Sequence, residues 1–79
     1  MNDLYEQALE ALDELAEEKK IAFELRAFTR LELADFPNYY KLEFWDSPIS
    51  EAVVFWEPGP ESFKASVLDA VERAIGADN

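Results

Sequence analysis

The sequence predicts one small α+β domain over residues 1–79, ordered helix–strand–strand–strand–helix (αβββα), with both helices on one face of a three-stranded antiparallel sheet. Three observations carry this expectation. Apolar residues recur at helical spacing at both ends of the chain and alternate in the middle. Turn-forming clusters, Asp35-Phe36-Pro37-Asn38, Asp46-Ser47-Pro48-Ile49-Ser50 and Pro58-Gly59-Pro60, cut the middle into three runs. The connections are too short for crossovers, so the strands form a meander whose apolar face the helices cover.

The first helix spans residues 3–19. Leu4, Ala8, Ala11, Leu12 and Leu15 lie on one stripe, flanked by Tyr5, Leu9 and Ala16. Asn2 or Asp3 serves as its N-cap, and Lys19 and Lys20 suit the negative end of the helix dipole. From Phe23 the period changes to two. Phe23, Leu25, Ala27, Leu31 and Leu33 point one way, and Glu24, Arg26, Arg30 and Glu32 the other, with a bend expected near Phe28–Thr29. Tyr39 to Trp45 alternates again, with Tyr40, Leu42 and Phe44 opposite Lys41 and Glu43. Ala52 to Trp56 is a third strand, apolar on both faces, which leaves its buried face open. Pro60 suits the first turn of the second helix. Phe63, Val67, Ala70, Val71, Ala74 and Ile75 form its buried stripe, and Gly76 is placed to end it.

A chain of 79 residues has a small core, and its six Phe, three Tyr and two Trp supply much of the filling. A hydrophobic fraction of 49% is too high for a disordered acidic tail. Eighteen acids against seven bases give a net charge of −11, which opposes direct binding to nucleic acid or to an anionic membrane. There is no Cys, hence no disulfide and no thiol chemistry. No basic start with an apolar stretch marks a signal peptide, and no apolar run reaches the length of a membrane span, so a cytosolic protein is expected.

The acids are concentrated. Asp3, Glu6, Glu10, Asp13, Glu14, Glu17 and Glu18 share one side of the first helix, opposite its apolar stripe. Glu6–Glu10, Glu10–Glu14, Asp13–Glu17 and Glu14–Glu18 are like-charged at i,i+4. Asp3–Glu6, Glu10–Asp13 and Glu14–Glu17 are like-charged at i,i+3. At about 0.2–0.5 kcal/mol each, these pairs destabilise the fold by about 1.5–3.5 kcal/mol at low salt. An ordinary solvated helix alternates Glu with Lys and gains from the same spacing. A halophilic surface would spread its acids evenly, whereas Lys64 and Arg73 interrupt them in the second helix. Neighbouring acids rise by several ångströms along the helix, comparable to phosphates along one DNA strand. Such a ridge suits a basic groove and binds it in a salt-dependent way. Glu24, Glu32 and Glu43 on the outward sheet face would extend the field, diluted by Arg26, Arg30 and Lys41.

Other chemistry finds little support. Without His or Cys, the commonest general base and the strongest nucleophile are missing, so no catalytic residue is assigned and no enzyme is expected. Carboxylates at i,i+4 can share a hard cation, but no His joins them and no EF-hand spacing exists, so no metal or cofactor is assigned. The frataxin family also carries an acidic first helix, on a longer chain. Double-stranded RNA-binding domains share the element order, but they bind through basic residues at the second helix, which Glu61 opens here. Phe28, Tyr39, Trp45 and either Phe55 or Trp56, with Trp56 preferred, fall on the sheet face away from the helices. They are candidates for an aromatic interface or for cross-strand packing. Whether the chain is a monomer or a dimer stays open.

In size, acidity, lack of catalytic residues and the acidic segment Glu6–Glu18, the chain resembles small phage and mobile-element proteins that block host nucleases, anti-CRISPR proteins of the acidic DNA-mimic kind. The resemblance spans the whole chain without a sequence motif. It implies a stoichiometric inhibitor in the host cytosol whose partner is a basic nucleic-acid-binding protein, a CRISPR effector complex first, with the ridge covering Lys and Arg that hold DNA. The alternatives are an immunity protein or antitoxin capping a basic nuclease toxin, and an acidic secretion-type chaperone working through the aromatic sheet face.

Overall fold

In a computed structural model of the chain, residues 3–33, 35–59 and 61–78 are described, with the side chains of residues 32, 33, 36, 37 and 78 outside that description. The elements are α1 (Asp3–Lys19), β1 (Glu24–Leu33), β2 (Phe36–Trp45), β3 (Glu51–Phe55) and α2 (Phe63–Asp78). The three strands form one antiparallel sheet in the order β1-β2-β3, so β2 is central and β1 and β3 are edges. Both helices lie on the same sheet face, as the element order predicted.

Helix α1 buries Ala8, Ala11, Leu12 and Leu15, the predicted stripe. Its end is set by Lys20, which adopts a left-handed φ of 58°. The Ile21 amide donates to the Ala16 carbonyl at 3.2 Å, the six-to-one bond of a Schellman turn. Glycine usually fills that position, because a side chain there costs about 1 kcal/mol. Asn2, the alternative N-cap, lies outside the described residues.

Strand β1 departs from the simple alternation. Leu25 stands opposite Phe44 and Ala27 opposite Glu43, so one extra residue, Arg26, is bulged out of the ladder. From Ala27 to Leu31 the pairing is regular, and the expected bend at Phe28–Thr29 is not there. The bulge flips the parity of everything after it. Phe28 now faces the helices with Tyr40 and Leu42, whereas Ala27 and Leu31 face outward with Glu43 and Tyr39. A second irregularity lets β2 gain a residue near Pro37, which has no amide proton to give the ladder. Strand β2 therefore begins at Phe36, three residues before the alternation becomes clear, so Phe36, Pro37 and Asn38 belong to the strand and only Asp35 of that cluster is turn.

The loop from β2 to β3 turns on Asp46, with a left-handed φ of 48°. Ser47 ties it down: its Oγ accepts from the Glu24 amide at 2.9 Å and donates to the Trp45 carbonyl at 3.1 Å. Ile49, read from the sequence as part of a break, is buried and closes one end of the core. In β3, Ala52 and Val54 face inward, which decides the face that the sequence left open.

Helix α2 starts at Phe63 and is capped by Ser62, whose Oγ accepts from the Ala65 amide at 3.1 Å. The Lys64 amide donates to Gln7 Oε1 of α1 at 3.1 Å, so a second orphan donor of the first turn is satisfied across the helix pair. Pro60, expected in that first turn, lies outside the described residues. Gly76 does not stop the helix, which continues to Asp78. Ser62→Ala is expected to lower unfolding free energy by about 1 kcal/mol in chemical denaturation, the usual cost of losing an N-cap.

The core is an aromatic cluster centred on the fully buried Phe63. Its ring lies 5.0 Å from Tyr40, 5.5 Å from Trp56 and 6.0 Å from Phe28, each edge to face. Phe28 stacks on Tyr40 at 5.8 Å and meets Tyr5 of α1 at 5.9 Å. These rings join α1, β1, β2 and α2 in one contact set. Among the described residues no polar side chain is buried.

Candidate functional site

The burial of Leu12 and Leu15 fixes which way α1 turns its acids. Asp3, Glu6, Glu10, Asp13, Glu14, Glu17 and Glu18 are all exposed. At 100° per residue they occupy an arc of about 140° facing away from the core. From Asp3 to Glu18 the helix rises about 22 Å, so the ridge carries one charge per about 3.8 Å of axis. One strand of duplex DNA carries a phosphate per about 3.4 Å. The linear charge density of the two is therefore nearly the same.

One border of the ridge is held by α2. Lys64 Nζ lies 2.9 Å from Glu14 Oε2, next to the Gln7 cap on the Lys64 amide. The hydrogen bond to Glu14 raises the Lys64 pKa above its ordinary 10.5; desolvation opposes this, and the charges of Glu14 and Glu10 reinforce it. On the alkaline side the Lys64 contribution is fully present below pH 10.5 and is lost as pH rises through the raised value. At neutral pH Glu14 is thus partly neutralised at the edge of the ridge, while Glu6, Glu10, Asp13 and Glu17 run along its crest.

The sheet acids do not join this surface. Glu24 and Glu43 sit on the outward sheet face, and the sheet and the core lie between them and α1. Lys41 stands between Glu43 at 3.4 Å and Glu51 at 3.6 Å. The hydrogen bond and charge of Glu43, then the charge of Glu51, raise its pKa. That small network cancels much of the charge there, so the expected extension of the field through Glu24 and Glu43 is corrected to a separate, mixed surface. The Glu32 side chain lies outside the described residues.

The aromatic expectation divides. Tyr39 and Trp45 face outward as expected, Trp45 with the Arg26 guanidinium 4.5 Å above its ring. Phe28 and Trp56 do not. The Arg26 bulge turns Phe28 into the core, and Trp56 packs on Phe63 while its Nε1 donates to the Glu61 carbonyl at 2.9 Å. Phe55 takes the outward place given to Trp56, with its ring 5.2 Å from Tyr39. The sequence held a signal for this: Glu51 belongs in solvent, and counting by two from it puts Val53 and Phe55 outside.

Among the described residues, no group of three or more potential ligand side chains is placed to hold a metal ion. No helix among them is long and apolar enough to cross a membrane. No family model, curated protein or solved structure matches the chain.

Proposed function

We propose that this chain is a stoichiometric protein inhibitor whose α1 ridge occupies the nucleic-acid-binding surface of a basic partner, with a CRISPR effector complex as the partner the anti-CRISPR resemblance implies. It acts by binding in the host cytosol, not by catalysis. The observation that supports this reading is the charge spacing along α1, close to that of one DNA strand. The apolar stripe opposite makes the ridge face outward, and the Gln7 and Glu14 contacts to α2 hold it in one orientation. A preformed ridge avoids the ordering cost that a disordered acidic tail meets on binding.

Capture from host lysate on immobilised protein tests the reading. The expected result is a nucleic-acid-binding effector subunit retained at low salt, released at high salt and displaced by added duplex DNA. Recovery of a nuclease toxin would replace the effector with a toxin as target, and recovery of an export substrate would point to the chaperone reading. A captured protein that resists both salt and DNA would remove nucleic-acid imitation altogether.

A further inference from the structure

Strand β3 offers an open edge, and the hydrogen bonds around it show which groups are unpaired. The Phe44 amide donates to the Ser50 carbonyl at 2.9 Å, and the Trp56 amide to the Asn38 carbonyl at 3.1 Å. In an antiparallel pair such bonds recur at every second residue. Ser50, Ala52, Val54 and Trp56 therefore turn their main-chain groups toward β2, and Glu51, Val53 and Phe55 turn theirs away. Among the described residues no backbone bond joins this outer edge to another element.

The edge is flanked by α2. Between it and α2 runs a groove of about 810 Å³. On the strand side stand Val53 and Phe55, 47% and 48% exposed, large for apolar residues on a small acidic protein. On the helix side Ala65, Ala70 and Ala74 keep the wall low. Glu51, Glu61, Asp69 and Arg73 supply the charge, three carboxylates against one guanidinium. Arg73 pairs with Asp69 at 2.9 Å and Glu51 shares Lys41 at 3.6 Å, so the excess charge of the groove is negative and rests mainly on Glu61 and Glu51. Edge strands are commonly protected by charge, Pro, a bulge or shortness. Here the protection is limited to the five-residue length of β3 and the charge of Glu51; Glu51–Phe55 has no Lys, Pro or bulge.

We propose that this groove binds an extended, cationic segment of a partner protein, which adds as a fourth strand beside β3. Its main chain pairs with the outward N–H and C=O groups of Val53 and Phe55. Alternate side chains lie against the α2 alanines and beside Val53 and Phe55, so that apolar residues suit those positions. Lys or Arg elsewhere in the segment meets the carboxylates. The net charge of −11 opposes a second copy of the chain at this edge and favours a basic strand. The groove lies on the β3–α2 side and does not involve the α1 ridge, so the proposal stands apart from the function proposed above.

The test uses the full chain and a labelled peptide alternating Val and Lys, followed by fluorescence anisotropy and by amide exchange of Val53 and Phe55. Saturable binding that protects those two amides is expected. The same peptide with alternate backbone nitrogens methylated, which keeps its charge, should bind at least about tenfold more weakly. Val53→Pro removes one outward donor at a position where an edge tolerates proline, and should weaken binding to a similar extent. Ala65→Gln, at an exposed helix position, fills the groove without adding charge and should do the same should Val53→Pro disturb the fold. Equal binding of the methylated peptide, or undiminished binding to Ala65→Gln, would overturn the proposal, because charge alone would then hold the peptide. A concentration-dependent dimer abolished by Ala65→Gln would also overturn it, by seating a second copy in the groove.

Discussion

Phe63→Ala is expected to leave the domain barely folded. Its ring is fully buried and contacts Tyr40, Trp56 and Phe28, so the deletion opens a cavity where α2 meets β1 and β2. Large-to-small changes of a buried Phe cost about 3–5 kcal/mol. A domain of this size has a total stability of about 4–12 kcal/mol. The matched control is Phe55→Ala, which removes the same ring from the outer face and should cost less than about 1 kcal/mol. Urea denaturation followed by far-ultraviolet circular dichroism measures both. Equal costs for the two would show that the aromatic cluster does not organise the fold.

The comparison of Phe63 with Phe28 shows which parts of the fold the sequence discloses. Phe63 sits in a helical stripe with Val67 and Val71, and its burial follows from spacing alone. The α1 limits and the face of β2 follow in the same way, because each rests on a local period, and the strand order follows from connections too short for a crossover. Phe28 does not. Its direction depends on the bulge at Arg26, which is a property of the β1–β2 pairing and leaves no mark on the one-dimensional pattern. The same bulge turns Leu31 outward and places Arg26 over Trp45. The end of α2 was misplaced because glycine has no single meaning: near a helix end it can stop the helix or be carried through it, and at Gly76 it is carried through. The outward direction of the α1 acids was legible, since the Leu12–Leu15 stripe orients them. The Lys64–Glu14 contact at the border of the ridge and the separation of Glu24 and Glu43 from it were not, because both depend on tertiary placement. The β3 groove was not, because it needs the tertiary placement of α2 beside an edge.

The reversal of Glu10, Asp13 and Glu17 to Lys is expected to abolish partner binding while leaving the fold intact. The three positions are exposed and lie along the crest of the ridge, so no core contact is lost. The change turns Glu6–Glu10, Glu10–Glu14 and Glu14–Glu17 from repulsions into attractions, and leaves Glu10–Asp13 and Asp13–Glu17 like-charged. Against this, the attraction between Glu10 and Lys64 of α2 becomes a repulsion. At helical contact strength the three reversed pairs still leave a net gain on the order of 1 kcal/mol at low salt. Lys at position 17 also meets the favourable end of the helix dipole. Loss of binding therefore cannot be charged to unfolding, which thermal denaturation of the variant checks directly.

Affinity for the captured nucleic-acid-binding partner, measured side by side for the native chain and this triple variant over a range of salt concentrations, tests the role of the ridge most directly. The native chain should bind with an affinity that falls steeply as salt rises, and the folded triple variant should show no binding at any salt. Undiminished binding by the folded triple variant would contradict the account and move the contact surface off α1.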